Sequence, residues 1–365
     1  MPPLNLLIKP ASSLCNMRCK YCFYKDVADK RKDTPAIMTA ETLELVVRRA
    51  FEYADGFAFF MFQGGEPTLA GIDFYKSLLE LQNRYNVKDI KIKNSIQTNG
   101  YIIDEEWAEF FAENGFLVGL SLDGIREAHD ALRVDANGRG TYDTVLKAAE
   151  ILKKHNVEFN ILCVVSELAA KHPKKVYDSL KKYKYLQFIP CLDPFDGQRS
   201  RFSLSGERYA EFLCQTFDLY YGDITHGYDI SVRNFDNYIG ILEGQVPESC
   251  DLRGHCACCI TVEADGAVYP CDFYALDEWR LGSVYEDGFE QMINSDKAKA
   301  FISPSYEVHS DCKACRYYKL CRGGCRRDRE PLPSLNRRCK AYKDFFDCKI
   351  GKMFDLAGKT AVRQD

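Results

Sequence analysis

The sequence predicts an α/β protein built on a parallel sheet, followed by a cysteine-rich region of different construction. Three observations carry this. Strand-like and helix-like patterns alternate six times over the first two-thirds of the 365-residue chain, as expected for parallel strands with helices outside them. From about Ser231 the pattern changes to short segments punctuated by Gly and Pro. Of seventeen cysteines, eleven crowd between positions 250 and 348.

The elements follow in order. Leu4–Ile8 reads as a strand leading into a loop with Cys15, Cys19 and Cys22. Thr39 is placed to cap a helix whose stripe is Leu43, Val46, Val47, Ala50 and Phe51. Phe57–Phe62 is a continuous apolar strand, with a helix around Phe74–Tyr85 after it. Further strands read at Ile90–Ile96, Phe116–Ser121, Phe159–Val165 and Tyr185–Ile189. Helices read at Glu105–Asn114, Thr141–His155, Lys174–Tyr183 and Glu207–Tyr221. Ile260–Glu263 and Ala267–Tyr269 form a hairpin with Asp265-Gly266 at its tip. Pattern alone does not separate an open sheet from a barrel, and the tail after Lys349 offers no motif.

Composition excludes several classes. A net charge of −4 gives no sign of a nucleic-acid partner. The N-terminus lacks the basic start and apolar run of a signal peptide, and no run reaches the roughly 18 apolar residues of a membrane span. The expectation is a cytoplasmic protein. Disulfide scaffolds concentrate in small secreted domains, so the cysteines are expected to bind metal or do chemistry. Cys163, Cys191, Cys214 and Cys348 lie in apolar surroundings and read as buried core thiols. The roles of Cys258 and Cys259 stay open, an alternative cluster ligand among them.

Cys15, Cys19 and Cys22 have Cys-x3-Cys-x2-Cys spacing. A closed 4Fe–4S cluster takes four thiolates, so three leave one iron open for a small ligand. Half of a zinc site is the alternative, but zinc sites pair two knuckles and no second one lies nearby. The spacing, with Tyr21 before the last cysteine, resembles the signature of the radical S-adenosylmethionine (SAM) enzymes. That resemblance implies a partial, six-unit TIM-like barrel and a SAM-derived deoxyadenosyl radical. Active sites of βα folds gather at the carboxyl ends of the strands. The second strand ends in Gln63-Gly64-Gly65-Glu66-Pro67, similar to the family's Gly-Gly-Glu-Pro motif. There Gly64 and Gly65 let backbone approach the ligand, and Glu66 pairs with the SAM ammonium. By the same resemblance Ser121 and Arg133 contact SAM, Leu192 lines the adenine side, and Tyr21 stacks near adenine.

Cys250, Cys256 and Cys271, then Cys312, Cys315, Cys321 and Cys325, then Cys339, are spaced like the SPASM extension of peptide-modifying radical SAM enzymes. The family connectivity is interleaved. Cys250, Cys256, Cys271 and Cys325 would hold one auxiliary 4Fe–4S cluster, and Cys312, Cys315, Cys321 and Cys339 the other. Two zinc ribbons are the alternative by spacing alone. The implied division is a barrel at 1–230, a SPASM domain at 231–348 and a tail at 349–365.

Within this group the chain is similar to the anaerobic sulfatase-maturating enzymes over nearly its whole length, most tellingly at Val268-Tyr269-Pro270-Cys271-Asp272-Phe273-Tyr274. The resemblance implies that three 4Fe–4S clusters and SAM oxidise a cysteine or serine to formylglycine, with Asp272 as catalytic base. A cluster beside Asp272 would raise its pKa by like-charge repulsion. The implied partners are an extended or unfolded sulfatase polypeptide with a Cys/Ser-x-Pro-x-Arg motif, and a low-potential donor such as flavodoxin or ferredoxin. Two rivals stand beside this: a maturase that crosslinks a ribosomal peptide, and a non-catalytic iron–sulfur carrier. A carrier needs neither an open iron nor a SAM cradle.

Overall fold

The computed structural model describes residues 2–31 and 37–363, with side chains to 358. The chain divides into two compact units, neither of them a continuous stretch. One comprises Met1–Ser121, Asp130–Phe159 and Cys258–Phe301; the other comprises Leu122–His129, Asn160–Ala257 and Ile302–Asp365.

The first unit is organised by strands β1 (Leu4–Lys9), β2 (Phe57–Phe62), β3 (Lys91–Thr98) and β4 (Leu117–Ser121), hydrogen-bonded in that order and parallel. β5 (Phe159–Val165), β6 (Tyr185–Pro190) and β7 (Ser231–Val232) follow and are likewise parallel to one another. The hairpin of β8 (Ile260–Glu263) and β9 (Ala267–Tyr269) turns at Gly266, whose φ of 78° suits glycine. β8 joins the other edge of β1, parallel to it, with Leu6 opposite Ile260 and Ile8 opposite Val262. β10 (Gly282–Ser283) closes that edge antiparallel to β9. Six strand–helix units are present as read.

Local chemistry explains the helices. In α1 (Ala40–Tyr53) Thr39 accepts a hydrogen bond from the Thr42 amide, and the buried stripe is Leu43, Val46, Val47, Ala50 and Phe51. α2 (Ile72–Tyr85) starts two residues before the expected Phe74. α3 (Glu105–Glu113) is capped by Asp104. α4 (Tyr142–Lys154) and α5 (Pro173–Leu180) match expectation within a few residues. α6 (Gly206–Thr225) is capped by Ser205 and runs past the expected end at Tyr221. α7 (Arg233–Leu242) follows β7 at once.

The core of the first unit is aromatic. Tyr75 meets Phe62, Trp107 and Phe116 edge-on at centroid distances of 5.2, 5.7 and 6.1 Å, a preferred geometry for such pairs. In the second unit α8 (Cys339–Arg363) carries the residues after Lys349 onward as helix, where the sequence had offered no motif. It lies along α6 through the pairs Tyr209–Tyr342 and Phe217–Phe345. The cysteines outside the clusters depart from expectation in part. Cys163 and Cys191 are buried, but Cys214 is half-buried and Cys348 is exposed. Both face the seam of amphipathic helices, where an apolar sequence neighbourhood does not guarantee burial. Among the described residues no helix is long and apolar enough to cross a membrane.

Candidate active site

The loop after β1 and the turn after β2 are built against each other. The Gly65 amide donates to Ser12 O at 2.7 Å, and the Glu66 amide to Leu14 O at 2.7 Å. A Cβ on Gly65 would stand 2.0 Å from the Leu14 carbonyl oxygen, and Gly64 has φ 123° with Ser12 O against it. In the structure both glycines therefore admit the backbone of the cysteine loop itself. Within that loop the Cys22 amide donates to Cys19 O, and Cys15 and Cys22 are electrostatic neighbours. Burial pushes the Cys15 thiol up to about 11. The Met17 amide and the Asn99 side chain donate to its sulfur at 3.4 and 3.5 Å. Hydrogen bonds of this kind tune the potential of a ligated cluster.

Glu66 is 1% exposed. Its Oε1 accepts from the Thr68 amide, the Thr68 hydroxyl and the Thr98 hydroxyl; its Oε2 accepts from the Asn99 amide at 2.7 Å. Burial moves its pKa up, against the pull of these donors. Oε2 retains one acceptor position. A glutamine there would turn an N–H toward a donor, so Glu66→Gln is expected to cost about 1–3 kcal/mol of folding stability. Anaerobic denaturant unfolding measures this, and an unchanged midpoint would show these bonds to be dispensable.

Around this core, Arg133 is buried with its guanidinium 5.4 Å from the Tyr21 ring centroid, within cation–π range. Ser121 Oγ accepts from Gln97 Nε2 at 3.0 Å. Tyr21, Gly64, Gly65, Glu66, Ser121 and Arg133 all belong to the first unit, whereas Leu192 belongs to the second and is half-buried.

Asp272 follows Cys271 in the first unit. Its Oδ2 accepts from the Tyr24 hydroxyl at 2.7 Å and from Gln63 Nε2 at 3.0 Å. Its Oδ1 is buried without a hydrogen-bond partner, 3.9 Å from the Lys9 ammonium. Burial, the largest influence, raises the Asp272 pKa, and Lys9 opposes it. Burial and the adjacent Asp272 hold the Tyr24 hydroxyl well above its usual range. Lys9 is fixed by Glu263 at 2.6 Å, and Glu263 also binds Arg31 and Ser12. Sequence reading missed Lys9, Tyr24, Gln63 and Glu263. Their signals were faint: a charge ending an apolar strand, a tyrosine two residues after Cys22, and polar residues at strand ends.

The carboxy-terminal cysteines fall into sets. Cys312, Cys315, Cys321 and Cys339 line one cleft of the second unit with Tyr342 and Phe346. Each is an electrostatic neighbour of others in the set. Cys250 neighbours both Cys256 and Cys325 in the same unit; Cys271 lies in the first. Among the described residues no three Cys, His, Asp or Glu side chains converge as on a single ion. A 4Fe–4S cube carries its four irons at alternate corners and takes one thiolate on each, so its thiolates stand farther apart than those around one ion. The all-sulfur donor set, the neighbouring thiols and the cleft fit such a cluster.

Family models agree. The Radical SAM superfamily matches residues 10–180, and SPASM, an iron–sulfur cluster-binding domain, matches 254–316. A cysteine-type anaerobic sulfatase-maturating enzyme of Clostridium perfringens is 46% identical over 98% of this chain and 99% of its own. The chain belongs to the anaerobic sulfatase-maturating enzymes. A serine-type sulfatase-maturating enzyme of Bacteroides thetaiotaomicron is 32% identical over 99% of this chain and 93% of its own. A solved structure, native anSMEcpe with bound AdoMet and Cp18Cys peptide, superposes with a TM-score of 0.94 at 45% identity. It covers 98% of this chain and 100% of that one. The fold is thus that of a radical SAM enzyme with a SPASM extension, mixed α/β with mostly parallel strands.

Proposed function

We propose that this chain oxidises a cysteine in a sulfatase segment of the form Cys-x-Pro-x-Arg to formylglycine, with Asp272 as the base. The observation that carries the reading is the Asp272 carboxylate. Its Oδ2 is held by two donors while its buried Oδ1 has none, leaving an oriented acceptor for a thiol proton. Cysteine is favoured over serine because the 46% relative is named cysteine-type and the serine-type relative stands at 32%.

Cys15, Cys19 and Cys22 would hold the cluster that binds SAM. Cys250, Cys256, Cys271 and Cys325 would hold one auxiliary cluster, and Cys312, Cys315, Cys321 and Cys339 the other. Together with SAM these groups would supply a carbon-centred radical able to take a β-hydrogen from the target, and a sink for one electron. The protein's own residues do the rest. Glu66 Oε2 offers its remaining acceptor position to the SAM ammonium, and Arg133 braces Tyr21 beside the adenine. Asp272 Oδ1 takes the thiol proton, and Lys9 at 3.9 Å stabilises the carboxylate that must receive it. Tyr24 and Gln63 keep the carboxylate from turning. Loss of hydrogen atom, proton and electron leaves a thioaldehyde, which water converts to the aldehyde with release of sulfide. A low-potential flavodoxin or ferredoxin would supply the reducing electron, and the reaction would take place in the cytoplasm on an extended segment.

The test is anaerobic incubation with SAM, reductant and matched peptides bearing Cys or Ser before x-Pro-x-Arg, read by mass spectrometry. Aldehyde is expected with the cysteine peptide, faster than with serine. SAM cleavage without aldehyde from either peptide would sink the reading, and faster serine oxidation would reverse the choice of target.

A further inference from the structure

Two cysteines outside the three cluster sets meet across a helix seam. Cys214 lies on α6 and Cys348 on α8, and each is an electrostatic neighbour of the other across the seam. Side chains on both sides fix this register. Toward the helix starts, Tyr209 packs on Tyr342 at 6.0 Å. Beyond the pair, Asp218 takes both Lys349 and Lys352, at 2.6 and 2.7 Å, and the Tyr221 hydroxyl donates to Asp355 at 2.5 Å. The helices therefore run alongside one another in the same direction, and Cys214 and Cys348 fall where that alignment places them. Their thiols differ in access, Cys348 being exposed and Cys214 half-buried. Burial pushes Cys214 up to about 12, opposed by Lys349.

We propose that Cys214 and Cys348 form a reversible dithiol–disulfide site whose oxidant is a low-molecular-weight disulfide. The exposed Cys348 thiolate attacks one sulfur of the oxidant and expels its first thiolate. The Cys214 sulfur, as thiolate, then attacks the Cys348 sulfur of the mixed disulfide and expels the second. One S–S bond forms in the protein and one breaks in the oxidant. The two protein thiols lose two protons and two electrons, and the oxidant becomes two thiols. The bond needs Cβ atoms about 3.8 Å apart, so it forms only if the register of the two helices brings Cys214 and Cys348 face to face. It would fasten α8, whose first residue is Cys339 of the four-cysteine cleft, to α6. Cys163 and Cys191, buried, have no such access.

The experiment uses the cluster-loaded holoenzyme, anaerobic and freed of reductant, incubated with oxidised glutathione and then alkylated and digested without reduction. The visible cluster absorbance is followed throughout. A peptide pair joined through Cys214 and Cys348 is expected in most molecules, with the absorbance unchanged and the pair released by a phosphine. Cys214→Ser should instead accumulate glutathione on Cys348, and Cys348→Ser should leave Cys214 unmodified. Stable glutathione on wild-type Cys348, or both thiols recovered alkylated, would overturn the proposal. A titration with oxidised and reduced dithiothreitol gives an independent answer, because an intramolecular bond appears there or does not.

Discussion

Asp272→Asn is expected to leave SAM cleavage intact while lowering formylglycine yield by about 10²–10⁴-fold, the range that a positioned general base contributes. The substitution preserves size and an oxygen that can still accept from Tyr24 and Gln63. It removes the negative charge and the acceptor at Oδ1, the atom left without a partner in the structure. Hydrogen abstraction precedes the need for a base. Deuterium at the target β-carbon should therefore still reach deoxyadenosine in the variant. Aldehyde at the wild-type rate would remove Asp272 from this role. Loss of SAM cleavage together with cluster iron would make it a structural residue, which its contacts with Tyr24 and Gln63 would also allow.

Replacing Cys15, Cys19 and Cys22 together with alanine should abolish SAM cleavage and remove one cluster's iron, leaving two clusters in place. The backbone of the loop that carries the three cysteines packs against the β2 turn, and the open-iron cluster draws its thiolates from that loop. The carboxy-terminal cysteines sit in their own cleft and neighbourhoods, so their iron should be retained. Iron and sulfide analysis with Mössbauer spectroscopy separates the outcomes. Retained SAM cleavage would place the cofactor elsewhere, and zinc at the 250–339 cysteines after anaerobic purification would replace the auxiliary clusters with ribbons.

Much of this site was legible because its chemistry is concentrated in local runs. The cysteine loop, the Gly-Gly-Glu-Pro turn and Cys271-Asp272 each declare themselves over a few residues, and the strand–helix alternation declares the parallel sheet. What was hidden depends on register between distant segments. Lys9 could not be seen as a partner of Glu263 and Asp272, since only the pairing of β8 with β1 brings them together. The two glycines were expected to make room for ligand; the structure uses them to admit the cysteine loop, a contact set by β1–β2 packing. The exposure of Cys348 depends on which face α8 turns to α6, which no short window of sequence fixes.

The pairing of β1 with β8 also has a consequence for biosynthesis. Lys9 and Glu263 are 254 residues apart, so at roughly 5–20 residues per second the ribosome takes about 13–50 s to deliver the second after the first. Throughout that interval the nascent chain carries Leu4–Lys9 with one strand edge open and a lysine without the carboxylate that will bury it. An open apolar edge invites pairing with other chains. Yield of the recombinant protein should therefore respond to slower translation and added chaperones more than to any change in its final stability.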